Sequence, residues 1–140
     1  MVYVDTRVLV ALCTREAKSA DVSRWYAACA DDLVSAAWCV TEFASALGIK
    51  RRSGQIDEAE AQTTWRQFER LCANDLRLLP MEPARFHRAA VLALDAVTGL
   101  RAGDALHLAA ALDAKVKSMA TLDDVLAKNA KRMKLKLTAL

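Results

Sequence analysis

Short apolar runs alternate along the chain with longer stretches whose apolar residues recur every three or four positions. Val2-Tyr3-Val4 is a β-branched and aromatic run that stops at Asp5-Thr6, after which Val8, Leu9, Leu12 and Cys13 repeat at helical spacing. A second helix is expected over Ala20 to Ala30, a brief strand at Leu33-Val34-Ser35, and a third helix where Val40, Phe43, Ala44 and Leu47 fall at i, i+3, i+4 and i+7. That helix should stop at a basic loop, Lys50-Arg51-Arg52-Ser53-Gly54. From Asp57 to Asn74, Ala61, Trp65, Phe68 and Cys72 form one stripe, so this helix should pair with the preceding one as a hairpin.

Leu76 to Leu79 reads as a third strand. Pro80 and Pro83 bracket a turn, a helix follows to about Val97, and Gly99-Leu100-Arg101-Ala102-Gly103 interrupts it. The next helix, opening at Asp104, is apolar nearly all round through Ala105, Leu106, Leu108, Ala109 and Leu112 and should therefore be buried. Ser118 to Thr121 is a fourth strand, Asp123 to Lys131 a short helix, and Leu135-Lys136-Leu137 a fifth strand. Strands separated by helices of this length pair in parallel, because antiparallel neighbours need only a short link. The expected architecture is α/β: a three-layer α/β/α sandwich around a five-stranded, mostly parallel sheet, with residues 1–140 forming one domain.

Composition narrows the picture. With 140 residues and 54% hydrophobic positions, the chain has material for a real core, and 4 Gly and 2 Pro exclude collagenous or disordered classes. No apolar run approaches the roughly 20 residues of a membrane helix, and Asp5 and Arg7 interrupt the place where a signal peptide would be apolar, so no membrane association and a cytoplasmic location are expected. Cys13, Cys29, Cys39 and Cys72 form no CxxC pair and sit among apolar neighbours, as buried reduced thiols do. A net charge of +3 permits a polyanionic partner without requiring one.

Dinucleotide-binding, P-loop, nucleophile-elbow and HExxH motifs are all absent. What remains is a set of carboxylates at junctions of elements: Asp5 after the first strand, Glu42 at the opening of the third helix, Asp104 at the opening of the buried helix and Asp123 after the fourth strand. In an open parallel sheet such junctions share the carboxyl edge, where ligands bind. Taken singly, each acid is an ordinary helix-start residue. Asp104 is the exception, because an unpaired carboxylate leading into a buried helix costs several kcal/mol. A divalent cation would offset that cost and the mutual repulsion, and all-oxygen ligation suits Mg²⁺ or Mn²⁺. Metal-assisted phosphodiester hydrolysis is the chemistry such a pocket performs. Of the two histidines, His107 lies one turn beyond Asp104 and reads as a satisfied core residue. Lys50, Arg51 and Arg52, and Lys128, Lys131, Arg132, Lys134 and Lys136, form either a track for a polyanion or a solvated face. Trp25, Tyr26, Trp65 and Phe68 read as core or partner-groove residues.

Four segments occur in the order and spacing of PIN-domain proteins: Val2-Tyr3-Val4-Asp5-Thr6, Val40-Thr41-Glu42-Phe43-Ala44-Ser45-Ala46-Leu47, Leu100-Arg101-Ala102-Gly103-Asp104-Ala105-Leu106-His107-Leu108-Ala109 and Ala120-Thr121-Leu122-Asp123. Over essentially its whole length the chain resembles the VapC-type toxins of type II toxin–antitoxin pairs. The resemblance implies a Mg²⁺-dependent endoribonuclease acting on RNA, usually a homodimer, held inactive by a VapB-type antitoxin. It further implies Asp5 and Asp104 as metal ligands, Glu42 and Asp123 as residues completing the catalytic acidic pocket directly or through water, and Thr121 as a supporting hydroxyl. Asp123 rather than Asp124 is chosen because it follows Thr121 at the family's spacing. One departure stands out: Arg7 occupies a position where the family commonly has a small hydroxyl residue. The competing reading is a catalytically silent PIN module acting by protein or RNA binding. A signalling receiver domain lacks support, since the places of its acids read Asp5-Thr6-Arg7 and Leu79-Pro80-Met81.

Overall fold

A computed structural model describes residues 1–140. The chain runs β1 (Val2–Val4), α1 (Thr6–Cys13), α2 (Ser19–Ala28), β2 (Leu33–Ala36), α3 (Trp38–Arg52), α4 (Glu58–Asn74), β3 (Leu76–Leu79), α5 (Pro83–Leu94), a 3₁₀ turn (Ala96–Thr98), α6 (Ala102–Asp113), β4 (Ser118–Ala120) and α7 (Asp124–Arg132). All strands are parallel in the order β3-β2-β1-β4, with Val2 opposite Leu33 and Ser118, and Leu33 opposite Leu76. The chain first walks outward from β1 through β2 to β3, then returns to the other side of β1 for β4. Strand order therefore reverses between β1 and β4, and the loops leaving those two strands flank the crevice that opens at such a reversal.

Alternation along the strands sorts the core into two layers. Val2, Val4 and Leu33 face α1, α3 and α4, whereas Tyr3, Val34 and Ala36 face α6. On the first side Phe43 and Phe68 stack with ring centroids 4.0 Å apart, and Trp65 tilts against both, which fastens the α3–α4 hairpin. Trp25 and Tyr26 pack partly buried against the same layer. On the second side α6 buries every residue from Ala105 to Ala111, as its unbroken apolar sequence requires. The four cysteines are free thiols, Cys13 and Cys39 buried, and burial pushes the Cys13 thiol up to about 11. No helix is long and apolar enough to cross a membrane.

The expected fifth strand is not formed. Lys134 turns through a left-handed conformation (φ 62°), and the following segment meets β4 only at the Met119–Leu137 bridge, held by Met119 N–H donating to Lys136 O and Thr138 N–H donating to Met119 O. The sheet has four strands. Other boundaries also shift. α5 ends at Leu94 because the Asp95 side chain accepts from Val97 N–H and starts a 3₁₀ turn that Gly99 closes at φ 66°. Lys50, Arg51 and Arg52 belong to the last turn of α3 rather than to a loop, where they complement the negative end of the helix dipole. The next helix is capped by Asp57, whose carboxylate accepts from Glu60 N–H at 2.8 Å. Asp57→Ala is expected to cost about 1 kcal/mol of stability, read as a lower urea midpoint with unchanged slope.

Candidate active site

Asp5 is the cap of α1 and the last residue before the sheet edge. It is 2% exposed; one carboxylate oxygen accepts from Val8 N–H at 2.9 Å and the other from the Thr121 hydroxyl. Because Thr121 follows β4, this bond ties together the two strands between which the order reverses. Burial pushes the Asp5 carboxyl above its ordinary value, opposed by those hydrogen bonds and by the Arg7 charge. Thr121 in turn accepts from Asp123 N–H at 3.0 Å, and Asp123 caps α7 by accepting from Leu126 N–H. Asp124 is exposed on the outer side of that turn.

Two expected placements need correction. Asp104 does not open its helix: α6 begins at Ala102, with Arg101 as the cap, so Asp104 sits inside the first turn. There it is half-buried and makes no hydrogen bond or ion pair. Burial and the nearby charge of Asp123 raise its carboxyl, with Glu42 adding to the effect and Arg7 opposing it. Glu42 likewise lies one turn into α3, not at its opening, and this changes its surroundings. One of its oxygens, Oε1, accepts from the Thr6 hydroxyl at 2.7 Å and from His107 Nε2–H. Burial acts to raise the Glu42 carboxyl, but its hydrogen-bond and electrostatic interactions with His107, followed by the bond from Thr6, outweigh it and hold the group below its ordinary value.

Gly103 explains how Glu42 reaches this position. A Cβ there would lie 2.7 Å from Glu42 Oε2 and 3.4 Å from Trp38 Nε1, so only glycine lets the carboxylate lie against α6. The indole N–H of Trp38 is buried without a partner beside the same space. His107, 2% exposed, is bonded on both ring nitrogens, as a core histidine should be: Nδ1 meets the Tyr3 hydroxyl at 2.7 Å, and Nε2 meets Glu42 and Thr6. Gly103, Thr6, Tyr3 and Trp38 were not singled out by the sequence reading. The available signal was Gly103 itself, a helix-weakening residue directly before the acid of a helix otherwise rich in Ala and Leu.

Arg7 lies over this group. Its guanidinium is 3.4 Å from Asp123 and its side chain is 68% exposed. Arg7 also lines a cleft of about 600 Å³ with Thr6, Glu42, Ser45, Lys50 and Leu122. Lys50 is drawn aside by Glu16 at 2.8 Å, whereas Lys128, Lys131, Arg132, Lys134 and Lys136 are exposed.

Residues 2–132 match the family model of the PIN domain. The chain belongs to the PIN-domain family. Solved structures agree on the fold. A Mycobacterium tuberculosis protein described as the sarcin-ricin loop cleaving toxin VapC20 superposes with a TM-score of 0.75 at 14% identity, over 92% of this chain and 95% of that one. FitAcB from Neisseria gonorrhoeae gives 0.71 at 17% identity, over 99% and 97%. VapBC2 from Rickettsia felis, solved on a fragment of its promoter DNA, gives 0.63 at 12%, over 99% and 98%. No curated protein matches significantly in sequence.

For a PIN domain the question is whether these residues suit a divalent ion. No three acidic, histidine or cysteine side chains gather closely enough to ligate one ion. Mg²⁺ does not need them, since it keeps several waters and is commonly held by one or two carboxylates plus phosphate oxygens. Asp5 and Asp104 are hard oxygen donors whose carboxyl groups are raised in the absence of a cation, and Asp104 has no competing protein partner. The donor chemistry fits.

Proposed function

We propose that this PIN domain is the toxin of a type II toxin–antitoxin pair and hydrolyses RNA phosphodiester bonds with Mg²⁺ or Mn²⁺. The observation that carries the reading is the unpartnered Asp104 beside Asp123 and Glu42, in a domain whose buried Asp5 stands at the strand-order reversal. Asp5 and Asp104 would hold the ion. When bound, it supplies Lewis-acid activation of a water and of a phosphoryl oxygen. Thr121 fixes the Asp5 carboxylate by donating to it, Asp123 holds Arg7 at the rim, and Glu42 offers an oxygen without a hydrogen bond on the side facing Gly103. Lys128, Lys131 and Arg132 give the RNA backbone a basic surface without base specificity.

The proposal includes a VapB-type antitoxin and a homodimer. Both need apolar surface, and Val91, Leu94 and Val97 of α5 and the 3₁₀ turn are 70–86% exposed. Mapping of new 5′ ends in RNA after addition of protein and Mg²⁺, and their absence with chelator, tests the activity. Mass in solution with and without the product of the neighbouring reading frame tests the assembly.

Arg7 favours a second reading, a silent module, because its charge already neutralises part of the acidic group. The two readings part on one variant. Arg7→Ser removes an exposed counter-charge, and a pair of this kind is worth up to about 1 kcal/mol. Calorimetric Mn²⁺ affinity is expected to rise about fivefold. An unchanged affinity together with no cleavage in either protein supports the silent module.

A further inference from the structure

Glu42 is held by a buried chain of groups that begins in the middle of the sheet. Tyr3 lies on the α6 side of β1, fully buried, and its oxygen accepts from Ala36 N–H at 3.0 Å. The phenol carries its proton at neutral pH. Its proton needs an acceptor; the hydroxyl's other hydrogen-bond partner is His107 Nδ1 at 2.7 Å, while the nearby Ser35 hydroxyl makes no hydrogen bond. A lone pair must occupy Nδ1, which places the ring proton on Nε2. That N–H points at Glu42 Oε1, which also accepts from Thr6.

We propose that Tyr3 and His107 are positioning residues of the cleft: the Tyr3 hydroxyl selects the Nε2–H tautomer of His107, and that N–H, together with Thr6, holds Glu42 Oε1 and so fixes the orientation of the carboxylate, with Oε2 against Gly103. The inference rests on the nuclease reading for its consequence but not for its geometry. Both oxygens of a freely rotating glutamate would exchange places, whereas two donors on one oxygen fix which of them lies against Gly103. Glycine at 103 leaves the space that Oε2 occupies. Thr6, the residue after Asp5, carries the same restraint back to the first strand. The sheet centre, α1, α3 and α6 thus meet on a single carboxylate.

Two measurements test this in the full chain. Nitrogen-15 spectra of the wild-type imidazoles need no variant and no active enzyme. They are expected to show His107 neutral and protonated on Nε2, with an Nδ1–H form emerging in Tyr3→Phe. The second measurement is steady-state RNA cleavage. His107→Leu is expected to lower kcat about 100-fold at unchanged KM, and His107→Gln, whose amide N–H can reach the same carboxylate, to restore most of it. A protonated Nδ1 in the wild type, a Tyr3→Phe spectrum identical to wild type, or equal kcat in the Leu and Gln variants of a folded chain overturns the proposal. If the wild type cleaves no RNA, the nuclease reading fails while the spectra still decide the positioning.

Discussion

Asp104→Asn is expected to abolish Mg²⁺-dependent RNA cleavage and, at the same time, to raise the thermal stability of the metal-free protein. Loss of activity should be about 1,000-fold or more in kcat, equivalent to ~4 kcal/mol of transition-state stabilisation. The gain in stability follows from the environment of the carboxyl. Burial, then Asp123 and Glu42, hold it above its ordinary value of 3.8, and no hydrogen bond depends on its charge. A carboxyl whose folded pKa lies above its unfolded value binds more protons in the folded state. It therefore weakens the fold as pH rises from the unfolded value through the raised one, and the penalty persists at neutral pH. Asparagine carries no such penalty. The stability difference should be present at pH 7 and vanish below about pH 4, read by thermal melts across that range beside cleavage assays at pH 7. A variant that lost activity and stability together would mark Asp104 as structural.

Gly103→Ala separates shape from charge. Placed 2.7 Å from Glu42 Oε2, the methyl group forces the carboxylate away and displaces it from the geometry in which it meets Thr6 and His107. Overpacking of this kind costs about 1–3 kcal/mol, while alanine in a helix recovers roughly 1 kcal/mol over glycine. Net stability should change little. A displacement of about 1 Å at a reacting group lowers turnover about 100-fold, so cleavage should fall with folding intact. Denaturant titration and initial rates on one preparation check both halves, and an active Gly103→Ala protein would mean that the position of Glu42 is immaterial.

The alternation of apolar runs and helical stripes made the layered α/β fold legible, because each run is long enough to set its own period. Leu135–Leu137 shows where this stops: its alternating polarity suits a strand, but strand formation also needs a partner edge, and β4 offers three residues with a left-handed turn at Lys134 just before the pairing begins. Asp5 and Asp123 were placed correctly because caps are local. Asp104 and Glu42 were each placed at a helix opening, but α6 starts two residues upstream of Asp104 and α3 a full turn upstream of Glu42. The contacts from Tyr3 to His107, and from Thr6 to Glu42, join residues 36 to 104 positions apart. Nothing in local spacing encodes them.

The single bridge at Leu137 has a further consequence. A parallel sheet with β4 at its border has unpaired amide and carbonyl groups there, and such a border is a template for another chain. Residues beyond Arg132, outside the PIN match, cross that border and occupy both backbone groups of Met119. This tail acts as a selvedge, finishing the weave where it would otherwise fray into aggregates. Shortening the protein to the matched domain would leave the acidic residues in place and yet open a sticky flank next to the strand that carries Thr121.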